Sequence, residues 1–477
     1  RHGEAFNDFG KLVTETLAFC RSNVATALVN ATRTVSNLAN NLAQYAAGST
    51  IDGLKDAAKG YPAICVGAGP SLVKNLDLLC DPEVRKNVVV IGVQTTLKPM
   101  LQRGIRPDFV TALDYSAICT RFYEDLPDLP DVTLVVEPKC HPAIIAAYPG
   151  PVRVCPSKLT DKLLGDMARP MPEIKAGTTV AHLSFYLAEL LGCDPIIFIG
   201  QDLGFSDGLY YAPGTAVHQV WEPELGAFNT IETMEWTRVV RMRGNLRRAE
   251  DVHGRPIFTD EQMSTYLGQF ERDFDEAKQA GRTVIDATEG GMPKQHTRLS
   301  TLRDALDEYA IKPVPRLPQA ERVLSRERLM KLRGLLDGRI ERVKELKRVT
   351  LDTGKLLKRL REHQHTPKKA DKYFKQVQKN TAKVHGELRE AFELVGSVNT
   401  VGTFRRERAD RGIHHTEHAD DYGRQLAQID RDLDNMDFID QACDEALTIF
   451  KEAQQRLLDA IDEAEEPTKQ AALISAA

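Results

Sequence analysis

Ala63-Ile64-Cys65-Val66-Gly67-Ala68-Gly69-Pro70-Ser71-Leu72 decides how this chain folds. Four apolar residues of strand length run straight into two glycines, a proline and a serine. Gly67 and Gly69 permit a tight turn and a close backbone approach to a ligand. Pro70 suits the first position of a following helix, because it lacks the amide proton that would be orphaned there. Helix amides with the Ser71 hydroxyl then form an anion site, so Gly67, Gly69, Pro70 and Ser71 are the expected phosphate-binding residues. A merely structural strand–helix turn is the alternative. The dinucleotide fingerprint wants a third small residue where Leu72 stands, and no Gly-Lys-Ser/Thr follows. Neither a NAD enzyme nor a Walker-type ATPase is indicated.

Outward from this turn, short β-rich runs alternate with helical ones. Strands are expected at Ala63–Val66, Val88–Gly92, Phe109–Asp114, Thr133–Glu137, Val152–Cys155, Ile196–Gly200 and Thr283–Ala287, with helices such as Thr179–Leu191 between them. Several strands are apolar on both faces, as strands covered by helices on each side should be. The pattern predicts an α/β fold, a Rossmann-like, doubly wound, largely parallel sheet. Such sheets bind ligands at the carboxyl ends of their strands. Polar residues gather at those ends: Gln94, Thr95 and Thr96; Asp114; Ser157 and Lys158; Gln201 and Asp202; and Asp286, Thr288 and Glu289. Asp108 and Asp114 stand at opposite ends of one strand, roughly 20 Å apart. Asp108 is expected to be a structural cap, and Asp114 is the one placed for chemistry.

Residues 1–60 are expected to form an N-terminal helical segment, 61–312 the catalytic sheet domain and 313–477 a C-terminal all-α domain. Phe6, Phe9, Leu12, Val13 and Leu17 recur at helical steps, and Pro313, Pro315 and Pro318 mark the second boundary. Over 477 residues, 63 Lys and Arg against 68 Asp and Glu give a net charge of −5, so a globally basic nucleic-acid binder is not indicated. The average hides an asymmetry. Residues 321–383 hold 20 basic and 8 acidic residues, net +12, whereas 413–466 hold 4 and 16, net −12. Two long antiparallel helical arms docked by opposite charge are expected. The basic arm lacks the interleaved aromatics of an RNA-binding surface. Three imidazoles at His414, His415 and His418 have no flanking Cys or carboxylate motif, so no metal site is assigned. The eight cysteines form no C-x-x-C pair and read as buried thiols of a cytoplasmic protein. No apolar run is long enough to span a membrane. The first residue is Arg, which leaves any upstream targeting peptide unjudged.

Taken in order, several motifs resemble the motility-associated factor (Maf) proteins, whose central domain is shared with MptE-like 6-hydroxymethylpterin diphosphokinases. They are Asn37-Leu38…Asn41-Leu42, Pro62–Leu72, Gly104–Asp114, Ala176-Gly-Thr-Thr-Val-Ala181, Ile197–Phe205, Gly208-Leu-Tyr-Tyr-Ala212 and Asp286–Gly291. The likeness covers about residues 35–310. The domain also looks like the catalytic fold of bacterial sialyltransferases, which open with a similar Gly-x-Gly-Pro-Ser-Leu turn. The resemblance implies a glycosyltransferase that moves a nonulosonic, sialic-like acid from a CMP donor to Ser/Thr of a protein, flagellin in that family. It implies no cofactor beyond the CMP-sugar. Gly67, Gly69, Pro70 and Ser71 would hold the CMP phosphate. Thr95 and Thr96 would face the nucleotide or sugar, and Gln201 and Asp202 would contact the nucleotide or the donor sugar. Tyr210 and Tyr211 would bind the leaving phosphate through their hydroxyls, and Thr178 and Thr179 would offer amides to a sugar carboxylate. The base is expected to be Asp114 or His253, the latter matching a histidine late in sialyltransferase-like domains, with a plain hairpin-turn histidine as its structural alternative. His182 is expected to be packing. Two alternatives are a pterin pyrophosphokinase using ATP and Mg²⁺ on Asp114, Asp202 and Glu289, and a non-catalytic nucleotide-binding assembly module.

Overall fold

In the computed structural model the described residues are 9, 10, 13, 30–219, 221–416 and 420–475, with side chains as far as residue 465. The helical spacing over Phe6, Leu12 and Leu17, and His418 of the histidine run, lie outside them. The chain divides into two compact units: Gly48–Ser157 with Arg169–Val323, and Arg1–Ala47 with Lys158–Ala168 and Leu324–Ala477.

The first unit is built on a nine-stranded sheet. Its strands are β1 (Ser49–Thr50), β2 (Ala63–Val66), β3 (Val89–Val93), β4 (Phe109–Ala112), β5 (Thr133–Val136), β6 (Val152–Val154), β7 (Ile196–Ile199), β10 (Val284–Asp286) and β11 (Arg298–Leu299), while β8 (Leu246–Glu250) and β9 (Pro256–Asp260) form a separate hairpin. The order is β1-β6-β5-β4-β3-β2-β7-β10-β11, and every pairing within the sheet is parallel. The seven expected strands are all present, within two residues at their ends. From β2 the chain winds outward through β3 to β6, then returns to place β7 on the other side of β2. The switch point therefore lies at the carboxyl ends of β2 and β7, the position where open α/β sheets bind ligands.

Alternation along β2 explains its unbroken apolar sequence. Ala63 and Cys65 join one buried cluster with helix α1 (Val180–Leu190) and Phe270 and Phe274 of the helix Glu261–Gln279, while Ile64 and Val66 join a second cluster on the other face. Asp108 is a cap, as expected: its carboxylate accepts from Val90 N at 2.8 Å and pairs with Arg85 at 2.9 Å. One expectation fails. Residues 48–60 are not part of a helical segment; Ser49 and Thr50 add the edge strand β1 beside β6. Gly53 and Gly60, both at positive φ, then turn the chain so that Asp56, Ala58 and Gly60 bond the carbonyls of Leu190, Leu191 and Gly192. The proline-marked segment also folds back onto this unit, since Arg153 donates to the carbonyls of Pro318 and Gln319 at 3.1 and 2.9 Å.

The second unit is helical. Arg326–Glu362 and Asp421–Ser475 are its two long helices, and they run antiparallel. The order of their cross-pairs shows the direction: Arg326 meets Glu465, Lys347 meets Asp440 and Asp444, and Arg361 meets Asp430. The opposite charges hidden in the net −5 thus face each other, as the sequence suggested. Leu329, Leu332, Leu336, Val343 and Leu346 recur at three- and four-residue or heptad steps and are buried, as are Ile439, Ala446, Phe450 and Leu457 of the other long helix. We expect Leu336→Ala to cost about 2–5 kcal/mol and Arg361→Ala less than about 1 kcal/mol, both read by urea unfolding. Among the described residues no helix is long and apolar enough to cross a membrane.

Candidate functional site

The glycine turn is closed by protein, not left open. Gly67 N and Gly69 N donate to the carbonyls of Ile199 and Gly200, tying β2 to β7 beyond their last ladder bond. A side chain at Gly67 would stand 2.6 Å from the Gly200 carbonyl, and one at Gly69 would collide with the Asp202 carboxylate. Pro70 begins a one-turn 3₁₀ helix, Pro70–Lys74. Ser71 N lies 3.2 Å from both Asp202 carboxylate oxygens and its hydroxyl donates to Oδ1 at 2.6 Å; Ser206 donates to the same oxygen at 2.5 Å. Ser71 and Asp202 are both buried. Gly291, at positive φ, brings the loop after β10 over Asp202, whose carbonyl accepts from Met292 N at 2.7 Å. This corrects the expectations for Ser71 and Asp202. The anion at the start of this helix is the chain's own carboxylate, and a phosphate placed there would be repelled by it. Burial raises the Asp202 pKa against the opposing bonds from Ser206 and Ser71 and the charge of Lys294. Gln201 lies with its side chain against Gly67, and Thr288 Oγ1 accepts from its amide at 3.4 Å.

Asp114 lies differently. It follows β4, is half-buried, and accepts a bond from Gln94 Nε2. Tyr123 fixes that amide from behind, its hydroxyl donating to Gln94 Oε1 at 3.0 Å. Burial raises the Asp114 pKa, opposed by bonds from Cys119 and Gln94 and by the Lys139 charge. A partly exposed carboxylate lifted by desolvation is the profile of a general base.

Two tyrosines from other segments, Tyr211 and Tyr266, feel the Asp114 charge. Tyr210 and Tyr211, after β7, have ring centroids 4.6 Å apart. Arg238, on helix α2 (Ile231–Arg241), stacks over Tyr210 at 4.4 Å and reaches Tyr211 at 5.8 Å. Burial pushes the Tyr211 hydroxyl up to about 12, opposed by Arg238 and reinforced by Asp114; Tyr210 is raised further, again by burial first. Both stay protonated donors at neutral pH. Tyr266, on helix α3 (Glu261–Gln279), is raised by burial and feels Asp260, Asp114 and Tyr115. Beneath the tyrosines, Glu235 accepts from Tyr210 N at 3.2 Å and pairs with His218 Nε2 at 2.8 Å, both side chains being buried. We expect Glu235→Ala to cost about 1–3 kcal/mol, because it leaves a buried imidazole nitrogen without its hydrogen-bond partner; thermal unfolding measures this. Arg238, Glu235 and Tyr266 were not legible as site residues, since each sits in an amphipathic helix with no local motif.

The remaining expectations separate. Thr95 is half-buried in the turn after β3, but Thr96 is fully buried and donates to its own Val93 carbonyl at 2.8 Å, so it does not face a ligand. Thr179 is the N-cap of α1, accepting from His182 N at 3.3 Å. Thr178 donates to Gln269 at 2.7 Å. His182 is packing: it stacks on Phe270 at 3.7 Å, and burial takes its pKa down to about 3. His253 occupies the exposed turn of the β8–β9 hairpin, where Asp251 accepts from its amide and its Nε2 lies 3.3 Å from the Glu289 carbonyl. That is the structural alternative to a base. Lys158 opens the helix Lys158–Leu164 of the helical unit. The carboxylates of the Mg²⁺ alternative do not converge, for Asp202 is held by serines while Glu289 accepts from Asn75 and caps Leu302 N at 3.0 Å. Among the described residues no group of three His, Cys, Asp or Glu side chains is disposed to hold a metal ion.

Residues 36–208 match the family model described as 6-hydroxymethylpterin diphosphokinase MptE-like, which meets the MptE-like likeness read from the motifs. No curated protein matches the chain. Among solved structures the chain is similar to a Maf glycosyltransferase from Magnetospirillum magneticum AMB-1, with 15% identity and a TM-score of 0.45, over 90% of this chain and 60% of that one. The chain thus spans about 60% of that structure's length.

Proposed function

We propose that the crevice around Asp114 transfers a sugar from a nucleotide donor, a CMP-activated nonulosonic acid, to a Ser or Thr hydroxyl of a protein acceptor such as flagellin. One observation carries the reading: Tyr211, a donor buried enough to stay protonated, feels the charges of both Asp114 and Arg238, and Arg238 stacks over the neighbouring Tyr210 ring at 4.4 Å. Displacement at an anomeric carbon needs a base for the acceptor and donors for the leaving phosphate. In this reading the acceptor oxygen bonds the anomeric carbon as its proton passes to Asp114. The bond from that carbon to the phosphate oxygen breaks, and CMP leaves with the electron pair. Tyr210 and Tyr211 donate to the phosphate and Arg238 offsets its charge, while Thr95 lines the nucleotide side. The Ser71–Asp202 clamp holds β2 and β7 together under this crevice. Free, buried cysteines such as Cys65, Cys155 and Cys193 fit a reducing compartment, so we place the activity in the cytoplasm.

The competing reading is pyrophosphoryl transfer from ATP to a pterin, which the name of the matching family favours. Against it stand the separately engaged Asp202 and Glu289, since a Mg²⁺–phosphate site wants carboxylates converging on one ion. Thermal unfolding in the presence of each ligand tests the choice. CMP should raise the midpoint, and Arg238→Ala should abolish that rise; stabilisation by ATP with Mg²⁺ and a pterin, but not by CMP, would overturn the proposal.

A further inference from the structure

Five arginines fall between residues 238 and 248, Arg238, Arg241, Arg243, Arg247 and Arg248, with no carboxylate among them, in a chain whose net charge is −5. The last four are exposed. Arg247 has Glu261 at 3.6 Å, and among the described residues Arg241, Arg243 and Arg248 have no ion-pair partner. This positive stretch runs from α2 into β8, the outer strand of the two-stranded hairpin.

The register fixes which groups of β8 face outward. Leu246 to Glu250 pair antiparallel with Asp260 to Pro256, and Asp251 N bonds the Arg255 carbonyl at 2.8 Å. Hydrogen-bonded pairs alternate with non-bonded ones. Ala249 and Arg247 are therefore the bonded residues, and Leu246, Arg248 and Glu250 direct their N–H and C=O groups away from β9. Pro256, which has no N–H, stands opposite Glu250 in agreement with this. The far edge of β9 is taken, because the Phe258 carbonyl accepts from Phe205 N at 2.8 Å. Among the described residues no strand pairs with the outer edge of β8.

We propose that this edge is a docking site for an extended acidic peptide segment, which adds a third strand beside β8 while its carboxylates meet Arg241, Arg243 and Arg248. Main-chain bonds to Arg248 and its outward neighbours supply pairing, and the arginines select charge. The position suits an acceptor: Leu246 and Tyr210 pack on the same small cluster of Phe205, Val239 and Met263, so a strand entering along β8 passes the tyrosine pair. Identifying the peptide with the acceptor rests on the transfer reading; the docking itself does not. Charged residues on an edge strand also serve simply to prevent aggregation, and the experiment separates the two roles.

Fluorescence anisotropy of the full chain is measured with a labelled peptide alternating Glu with Ser and Val, and with a peptide of equal charge carrying Pro at alternate positions. The first should bind, more weakly as salt rises, and the second at least about tenfold less tightly, since it cannot pair. Arg241→Ala with Arg243→Ala and Arg248→Ala should weaken binding about tenfold or more. Arg248→Pro removes an outward N–H without touching the hairpin ladder and should weaken binding beyond Arg248→Ala. Equal binding of the two peptides, indifference to the arginines, or preference for an RNA of equal charge would overturn the proposal. Binding with no sugar passed to the peptide when a CMP-activated donor is added would support the docking site while removing the identification of the docked segment with the acceptor.

Discussion

Asp114→Asn is expected to lower sugar transfer about 10²- to 10⁴-fold while leaving the fold intact. The two effects separate because of what burial does to this carboxyl. Its folded-state pKa is raised, chiefly by desolvation. The fold therefore favours the protonated form: the stability this group contributes is present below its unfolded pKa and is lost as pH rises through its folded pKa. Asn imitates the neutral form and can still accept from Gln94. The variant should match the parent in unfolding free energy near pH 4 and equal or exceed it near neutrality. Activity moves the other way, because a base works only when ionised. The parent's rate should climb with pH through a pKa raised from the ordinary aspartate value and then level off. A variant that transfers sugar at the parent's rate would remove Asp114 as the base.

The second large effect is structural. Asp202→Ala should cost about 2–4 kcal/mol in urea unfolding, because the Ser71 amide, the Ser71 hydroxyl and the Ser206 hydroxyl lose their acceptor in a buried place. Asp202→Asn keeps an acceptor oxygen and should cost less. If the turn were instead an open phosphate site, Asp202→Ala would leave stability unchanged and tighten CMP binding by removing a repelling charge. That outcome would restore Ser71 to the role first expected of it.

The seven inner strands were legible because each is buried on both faces, which leaves short unbroken apolar runs such as Ala63–Val66 and Ile196–Ile199 between turn residues. The edge strands β1 and β11 were not, since two-residue strands carry no periodicity. The charge pairing of the long helices was legible from composition alone. The site was half legible. Asp114 follows a strand and could be placed at the carboxyl edge by topology, whereas Tyr210 and Tyr211 were suggested only by the family resemblance. The glycine turn was read as a ligand cradle, yet the partner that fills it, Asp202, lies 131 residues away, and no local pattern announces such a contact. Arg238 and Tyr266 likewise come up to Tyr211 only through packing of α2 and α3, and a sequence records their helices but not where they dock.

Sugar transfer is measured by incubating the chain with a CMP-activated nonulosonic acid and a Ser/Thr-bearing acidic protein acceptor, following CMP release and acceptor mass together. Stoichiometric CMP and sugar-modified acceptor are expected, with both lost in Asp114→Asn. AMP released from ATP with a diphosphorylated pterin, and no CMP under any condition, would contradict the transfer reading.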